Sequence, residues 1–188
     1  SSHGNGLLIW KARWFLAWSS EVPGRFEETA GQAKGNHRVY YTTTTDFKTL
    51  EPAKLLLDPG YTAIDSTFVK SGAVWRMVFK GERDNPSKKQ VRMATARELE
   101  GPYEGITDAL TLTRVEAPCA VKLGDDYLVY FDEYRWGRYG AIRSRDLVNW
   151  SDVSGLMDFP KGSRHGCVFR VPPEVGRALW AKTGSGAS

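Results

Sequence analysis

Cysteine is scarce in this chain: Cys119 and Cys167 are the two present among 188 residues. Both fall one to three residues into short apolar runs, where they read as small buried side chains that could face each other. Sequence assigns no disulfide to them, and neither CxxC nor HExxH occurs, so no zinc site of recognisable spacing exists. Long apolar runs are missing too. Nothing approaches the roughly 18 consecutive apolar residues of a membrane helix, and no signal-peptide pattern opens the chain. A processed precursor would also lack one, so the compartment stays open. Charge of one sign is equally sparse. The formal net charge is +4, with Lys and Arg interleaved among acids. Lys88-Lys89 is the single basic cluster, which argues against nucleic acid as a partner, and no membrane partner is expected.

What remains is ordinary globular composition, 41% hydrophobic and 12% aromatic, enough chain for one or two domains with a core. Residues 1–6 and 183–188 are rich in small residues and read as tails. Leu7-Leu8-Ile9-Trp10 and Trp14-Phe15-Leu16-Ala17-Trp18, split by Lys11-Ala12-Arg13, form an aromatic hairpin. A long polar loop from Ser19 to Asn36 leads to a β-branched strand, His37 to Thr44. The next unit repeats the order: Ser66–Val69, Val74–Phe79, a Pro-containing loop over Glu82–Lys89, then Val91–Thr95. A third unit runs Cys119–Leu123, Tyr127–Phe131 and Tyr139–Ser144, and a fourth starts at Gly166 and fades after Val171-Pro172-Pro173. Thr45-Asp46-Phe47-Lys48-Thr49-Leu50 and Arg145-Asp146-Leu147-Val148-Asn149-Trp150 close two of these units with one phrase.

Three unit openings rhyme: Asp65 before Ser66-Thr67-Phe68-Val69-Lys70, Glu116 before Ala117-Pro118-Cys119-Ala120-Val121-Lys122, and His165 before Gly166-Cys167-Val168-Phe169-Arg170. They are about 50 residues apart, the period of a propeller blade. Short strands without helical periodicity at that repeat predict an all-β fold, a β-propeller ahead of a sandwich or solenoid. Asp65, Glu116 and His165 would then line one end of a central funnel.

A carboxylic acid and a carboxylate across a pocket are the minimum for cleaving a glycosidic bond. Val115 and Ala117-Pro118 give Glu116 an apolar setting that would raise its pKa and keep it protonated. On the residues alone Asp65 would be the base. Taken singly, Glu116 is a solvated strand end, Asp65 a turn residue and His165 a hydrogen-bonded loop histidine; their common phase argues for a site. Trp14, Trp18, Tyr40, Tyr41, Trp75, Tyr134 and Trp136 could offer flat faces to sugar rings, although most would pack between blades. Arg138 could bond sugar hydroxyls.

Val22-Pro23-Gly24-Arg25-Phe26, the run His37 to Phe47, Asp58-Pro59-Gly60 with Ile64-Asp65, Val115-Glu116-Ala117-Pro118 and Arg164-His165-Gly166 occur in the order of glycoside hydrolase family 43, which the chain resembles over residues 7 to 173. The resemblance implies a five-bladed β-propeller and inverting cleavage of arabinofuranosyl or xylosyl linkages in plant cell-wall polysaccharide. It implies Glu116 as general acid and Asp65 as the Asp that orients it and tunes its pKa. His165 matches an axial histidine that in some members helps hold a central calcium; no cofactor is required. His165, Arg138, Trp18 and Phe26 are the candidates for substrate contact. The family's Asp base precedes the stretch matching Leu7 to Ser20, and no residue here fills that role. The expectation is therefore a propeller domain over 7–182 lacking the first blade, with blades at 7–50, 64–103 and 116–150 and part of a fourth at 165–182. Open blade edges would recruit a second copy or a missing-blade partner. A catalytically silent glycan-binding or scaffold propeller is the rival, and a transglycosylase or phosphorylase the third reading. Polysaccharide as substrate suggests a secreted or periplasmic bacterial protein.

Overall fold

A computed structural model describes residues 2–27, 35–84 and 87–184, with side chains over 7–27, 35–84 and 87–182. Its strands form three antiparallel sheets. The first contains β1 (Ser2–Trp10), β2 (Arg13–Ser20), β3 (Arg38–Thr44) and β4 (Lys54–Leu57), in that order. Lys11 and Ala12 join β1 to β2 with φ of 49° and 58°, the backbone of a type I′ turn, which matches the twist of the flanking strands. On β2, Phe15, Ala17 and Ser19 are buried between half-buried neighbours, the period-2 pattern of a strand with one face on a core.

The second sheet contains β5 (Thr62–Ser71), β6 (Val74–Asp84) and β7 (Ser87–Ala96). The third contains β8 (Glu116–Leu123), β9 (Asp126–Glu133), β10 (Arg138–Ser144) and β11 (Ser151–Asp152). The middle sheet is covered on both faces, so β6 is buried from Met77 to Gly81 without alternation. Met77 and Phe79 pack with Phe15, Val39 and Leu57 of the first sheet. Val78, with Val91 and Met93 of β7, packs with Val115, Val129 and Phe131. Each such side chain contributes about 1.5–3 kcal/mol on burial.

The first strand of each sheet lies innermost: β1 lies against β5, and β5 against β8. Residues 165–170 continue this row beside β8, where Val168 donates its N–H to Cys119 Sγ at 3.1 Å and Arg170 bonds the Lys122 carbonyl at 3.3 Å. The architecture is an incomplete β-propeller of the five-bladed type.

Several elements differ from expectation. β1 begins at Ser2, inside the stretch expected as a tail, and β4 and β11 extend two sheets past their closing phrases. β6 and β7 continue through most of the expected 82–89 loop. The fourth unit has no strand among the described residues. It leads instead to helix α1 (Pro173–Gly184), which opens on proline with Glu174 in its first turn and ends with Lys182 in its last. Leu179 and Trp180 of α1 are exposed, so no buried stripe gave the helix a period to read. No described helix is long and apolar enough to cross a membrane.

Candidate active site at the blade axis

Asp65 sits at a bulge: the β5–β6 register shifts between Ile64 and Thr67. The β8–β9 register shifts in the same way between Glu116 and Cys119, around Ala117-Pro118. Asp65, Ala117 and His165 all adopt left-handed backbone, with φ of 54°, 48° and 47°. The backbone therefore equates Asp65 with Ala117 and His165, and Glu116 stands one residue ahead of that phase. Left-handed conformation at a residue with a side chain costs about 1–2 kcal/mol, and bulges re-aim side chains near functional sites. Here the bulge turns Asp65 onto the neighbouring blade, where its Oδ2 accepts the Ala117 N–H at 3.0 Å.

Glu116 lies opposite Asp132 of β9, two carboxylates facing across a strand pair. Like charges so placed repel. Arg164 offsets the repulsion, donating from Nη2 to Glu116 Oε1 at 2.7 Å and from Nε to Asp132 Oδ2. His165 Nε2 meets Glu116 Oε1 at 3.1 Å, and Lys80 Nζ donates to Glu116 Oε2 at 3.2 Å while also pairing with Glu82. Lys80 is only 3% exposed and Asp132 fully buried, so these charges are compensated inside the protein. Burial alone pushes Lys80 down, but Glu82, Glu116 and Asp65 together hold its ammonium above the ordinary value.

The apolar neighbours expected to raise the Glu116 pKa are outweighed. Burial does push it up, yet Lys80 and the hydrogen bonds from His165, Arg164 and Lys80 hold the carboxyl below its ordinary value. Sequence neighbours Val115 and Ala117 gave the wrong sign because the groups that decide it come from residues 36 and 48 positions away.

A cavity of about 890 Å³ opens beside the inner strands, lined by Leu7 and Leu8, Asp65, Trp75 and the runs 117–122 and 165–169. Asp65 and His165 are among its lining residues. Glu116 is not, since its carboxylate turns toward Lys80 and Arg164. Cys119 and Cys167 do face each other, with sulfurs 3.9 Å apart as free thiols, and burial pushes the Cys119 thiol up to about 11.

Other expected contacts lie elsewhere. Trp18 stacks on Tyr40, and Phe26 covers the buried Arg38 guanidinium at 4.6 Å; neither lines the cavity. Arg38 in turn pairs with Asp58, so Phe26 serves the packing of a buried ion pair. Arg138 pairs with Glu133, its cross-strand neighbour in the β9–β10 hairpin. Tyr40 and Tyr41 are buried, Trp75 is buried yet forms part of the cavity wall, and Trp136 is exposed. Sequence reading missed Lys80, Asp132 and Arg164. A lysine within an apolar strand run was the available signal for Lys80, because such a residue needs a buried partner.

Glu116, Asp132 and His165 also offer ligand atoms within 4.8 Å of one another, and Asp132 Oδ1 has no hydrogen-bond partner. Two carboxylates and an imidazole suit a divalent cation in their chemistry. A cation there would compete with Arg164, which already bonds both carboxylates.

The sequence profile of a family described as "Probable glycosyl hydrolase domain", related to glycoside hydrolase family 43, matches residues 9–174. No curated protein matches the chain. Among solved structures, a β-xylosidase superposes with a TM-score of 0.61 at 14% identity, over 80% of this chain and 57% of its own. A family 43 enzyme from Xanthomonas citri complexed with xylotriose gives a TM-score of 0.61 at 10% identity, over 81% of this chain and 55% of its own. A family 43 β-xylosidase/α-arabinofuranosidase from a compost microbial metagenome, bound to xylotriose in a calcium-free form, gives 0.54 at 11% identity, over 69% and 42%. At these identities the likeness is one of fold, and the chain spans about half the length of those proteins.

Proposed function

We propose, for a chain that belongs to the glycosyl hydrolase family related to family 43, that it cleaves arabinofuranosyl or xylosyl linkages of plant cell-wall polysaccharide with inversion, with Glu116 as the general acid. The observation that carries the reading is the convergence of Glu116, Asp65 and His165 at the axial bulges of adjoining blades. Asp65 fixes the Ala117 amide and thereby the course of β8 at Glu116, which makes it a positioning residue. Glu116 must carry a proton when it meets the leaving oxygen. Arg164 is half-exposed and bonds Glu116 from outside the sheet, so substrate entering between them would remove one of the groups that holds the carboxyl ionised. No described residue matches the family's Asp base, and the reading assigns none. A calcium ion on Glu116 and Asp132 would have to displace Arg164 and would hold Glu116 ionised, so it and the acid role exclude each other; no step here passes through a metal. Action on a polymeric substrate would suit a secreted or periplasmic protein.

Hydrolysis of chromogenic arabinofuranoside and xyloside substrates by the full chain, wild type beside Glu116→Gln, tests the reading. Turnover that falls about 10²–10⁴-fold in the variant supports it. The ionised state of Glu116, held by two cations and an imidazole, favours one rival: a silent propeller that binds glycans. Xylo-oligosaccharide binding equal in both proteins, with turnover in neither, establishes that rival and ends the enzymatic reading.

A further inference from the structure

Lys80 and Glu82 of β6 look toward Glu116, whereas Gly81 and Arg83 alternate to the other face of the same strand. Lys88 of β7 lies directly opposite Arg83 and shares its face. With Tyr61 and Arg92, these residues enclose a hollow of about 140 Å³. Gly81 is required there, because a Cβ would stand 2.9 Å from the Tyr61 ring. The ring lies 4.6 Å beneath the Arg83 guanidinium, and Arg92 is steadied by a hydrogen bond from Nη1 to the Thr107 carbonyl at 2.9 Å.

Three cations thus converge on one hollow. The nearby acids are engaged elsewhere: Glu82 with Lys80, Asp84 with Lys89 and Asp58 with Arg38. Among the described residues, none of Arg83, Lys88 and Arg92 pairs with a carboxylate. Like charges placed opposite one another across strands repel. An anion in the hollow removes that repulsion. Burial holds the Tyr61 phenol above its ordinary value, so its hydroxyl remains a donor. A hollow of about 140 Å³ has room for a carboxylate or a sulfate.

We propose that this hollow is an anion subsite, which receives the acidic substituent of a glycan, a uronate carboxylate or a sulfate ester, while the neutral chain runs toward Glu116. The glycan part of the proposal rests on the functional reading above; the anion part does not. The two sites occupy opposite faces at one end of the same sheet, so one branched oligosaccharide could engage both.

The test uses the full chain at low and at physiological salt. Inorganic sulfate, a xylo-oligosaccharide carrying one glucuronate, its methyl ester and a sulfated analogue are titrated by calorimetry and by NMR. The acidic or the sulfated oligosaccharide is expected to bind at least tenfold more tightly than the ester, and added salt is expected to erode the preference. Arg83→Gln with Lys88→Gln should abolish the preference; both side chains are exposed, and an unchanged melting temperature verifies the fold. Whichever of the carboxylate and sulfate arms shows the preference identifies the group. Saturable sulfate binding that the double variant removes, with no oligosaccharide bound, supports the anion site and defeats the glycan reading. Equal binding of acid, sulfated analogue and ester, with no sulfate binding, overturns the proposal.

Discussion

Two parts of the repeat are copied by different rules. The corner turn after β3 and the one after β10 share side chains and backbone alike. Thr44 Oγ1 accepts the Phe47 N–H at 3.0 Å, as Ser144 Oγ accepts that of Leu147 at 2.8 Å. Asp46 Oδ1 accepts from the amides of Lys48 and Thr49, and Asp146 Oδ1 from those of Val148 and Asn149. Phe47 and Leu147 both take positive φ, 57° and 63°. The axial bulges copy the backbone only, at Asp65, Ala117 and His165, and change the side chain each time. Turns that end a blade have one task, to satisfy backbone donors. Bulges at the axis share a task of aiming, and what they aim differs.

The axial charges depend most on Lys80, a single buried ammonium. Lys80→Met leaves Glu82 and Glu116 without their shared cation and should cost about 3 kcal/mol in urea unfolding, with activity lost together. A stable, active variant would mean Arg164 and His165 suffice. At the turns, Ser144→Ala and Thr44→Ala should each cost about 1–2 kcal/mol and leave turnover unchanged, because each removes one oxygen that serves two backbone amides. Unequal losses beyond about 1 kcal/mol would show that the two turns are alike in geometry alone.

The bulge itself gives a smaller and opposite signal. Ala117 at φ 48° is strained where glycine is not, so Ala117→Gly should hold stability level or raise it by up to about 1 kcal/mol. A loss of the usual size for glycine in a strand would refute the strain. The smallest effect concerns pH. Glu116, Asp46 and Asp146 all have carboxyls held below their ordinary values, Glu116 against the upward push of burial and the other two by backbone hydrogen bonds. Their contribution to stability is complete above the ordinary carboxyl range and is lost as pH falls through the lowered values. Urea midpoints measured from about pH 6 down to pH 2 should decline, and less steeply in Glu116→Gln.

Much of this was legible in the sequence. Two of the three rhyming openings marked inner strands, β5 and β8, and the paired closing phrases marked turns of one design, since most of a turn's hydrogen bonds reach only two or three residues. Asp65 and His165 were placed at the axis by repeat phase alone. Helix α1 was hidden because it packs too little to need an apolar stripe, and β4 and β11 because each is short and lies at a sheet edge.

By itself the sequence determined the all-β class, the repeat, the turns and the stretches that meet at the axis, all products of local pattern recurring along the chain. The tertiary structure decided which charges meet there. Lys80 from one blade, Asp132 from another and Arg164 from the last segment converge on Glu116. Coulomb energies depend on distance through space, and no spacing along the chain encodes that distance until the sheets have packed.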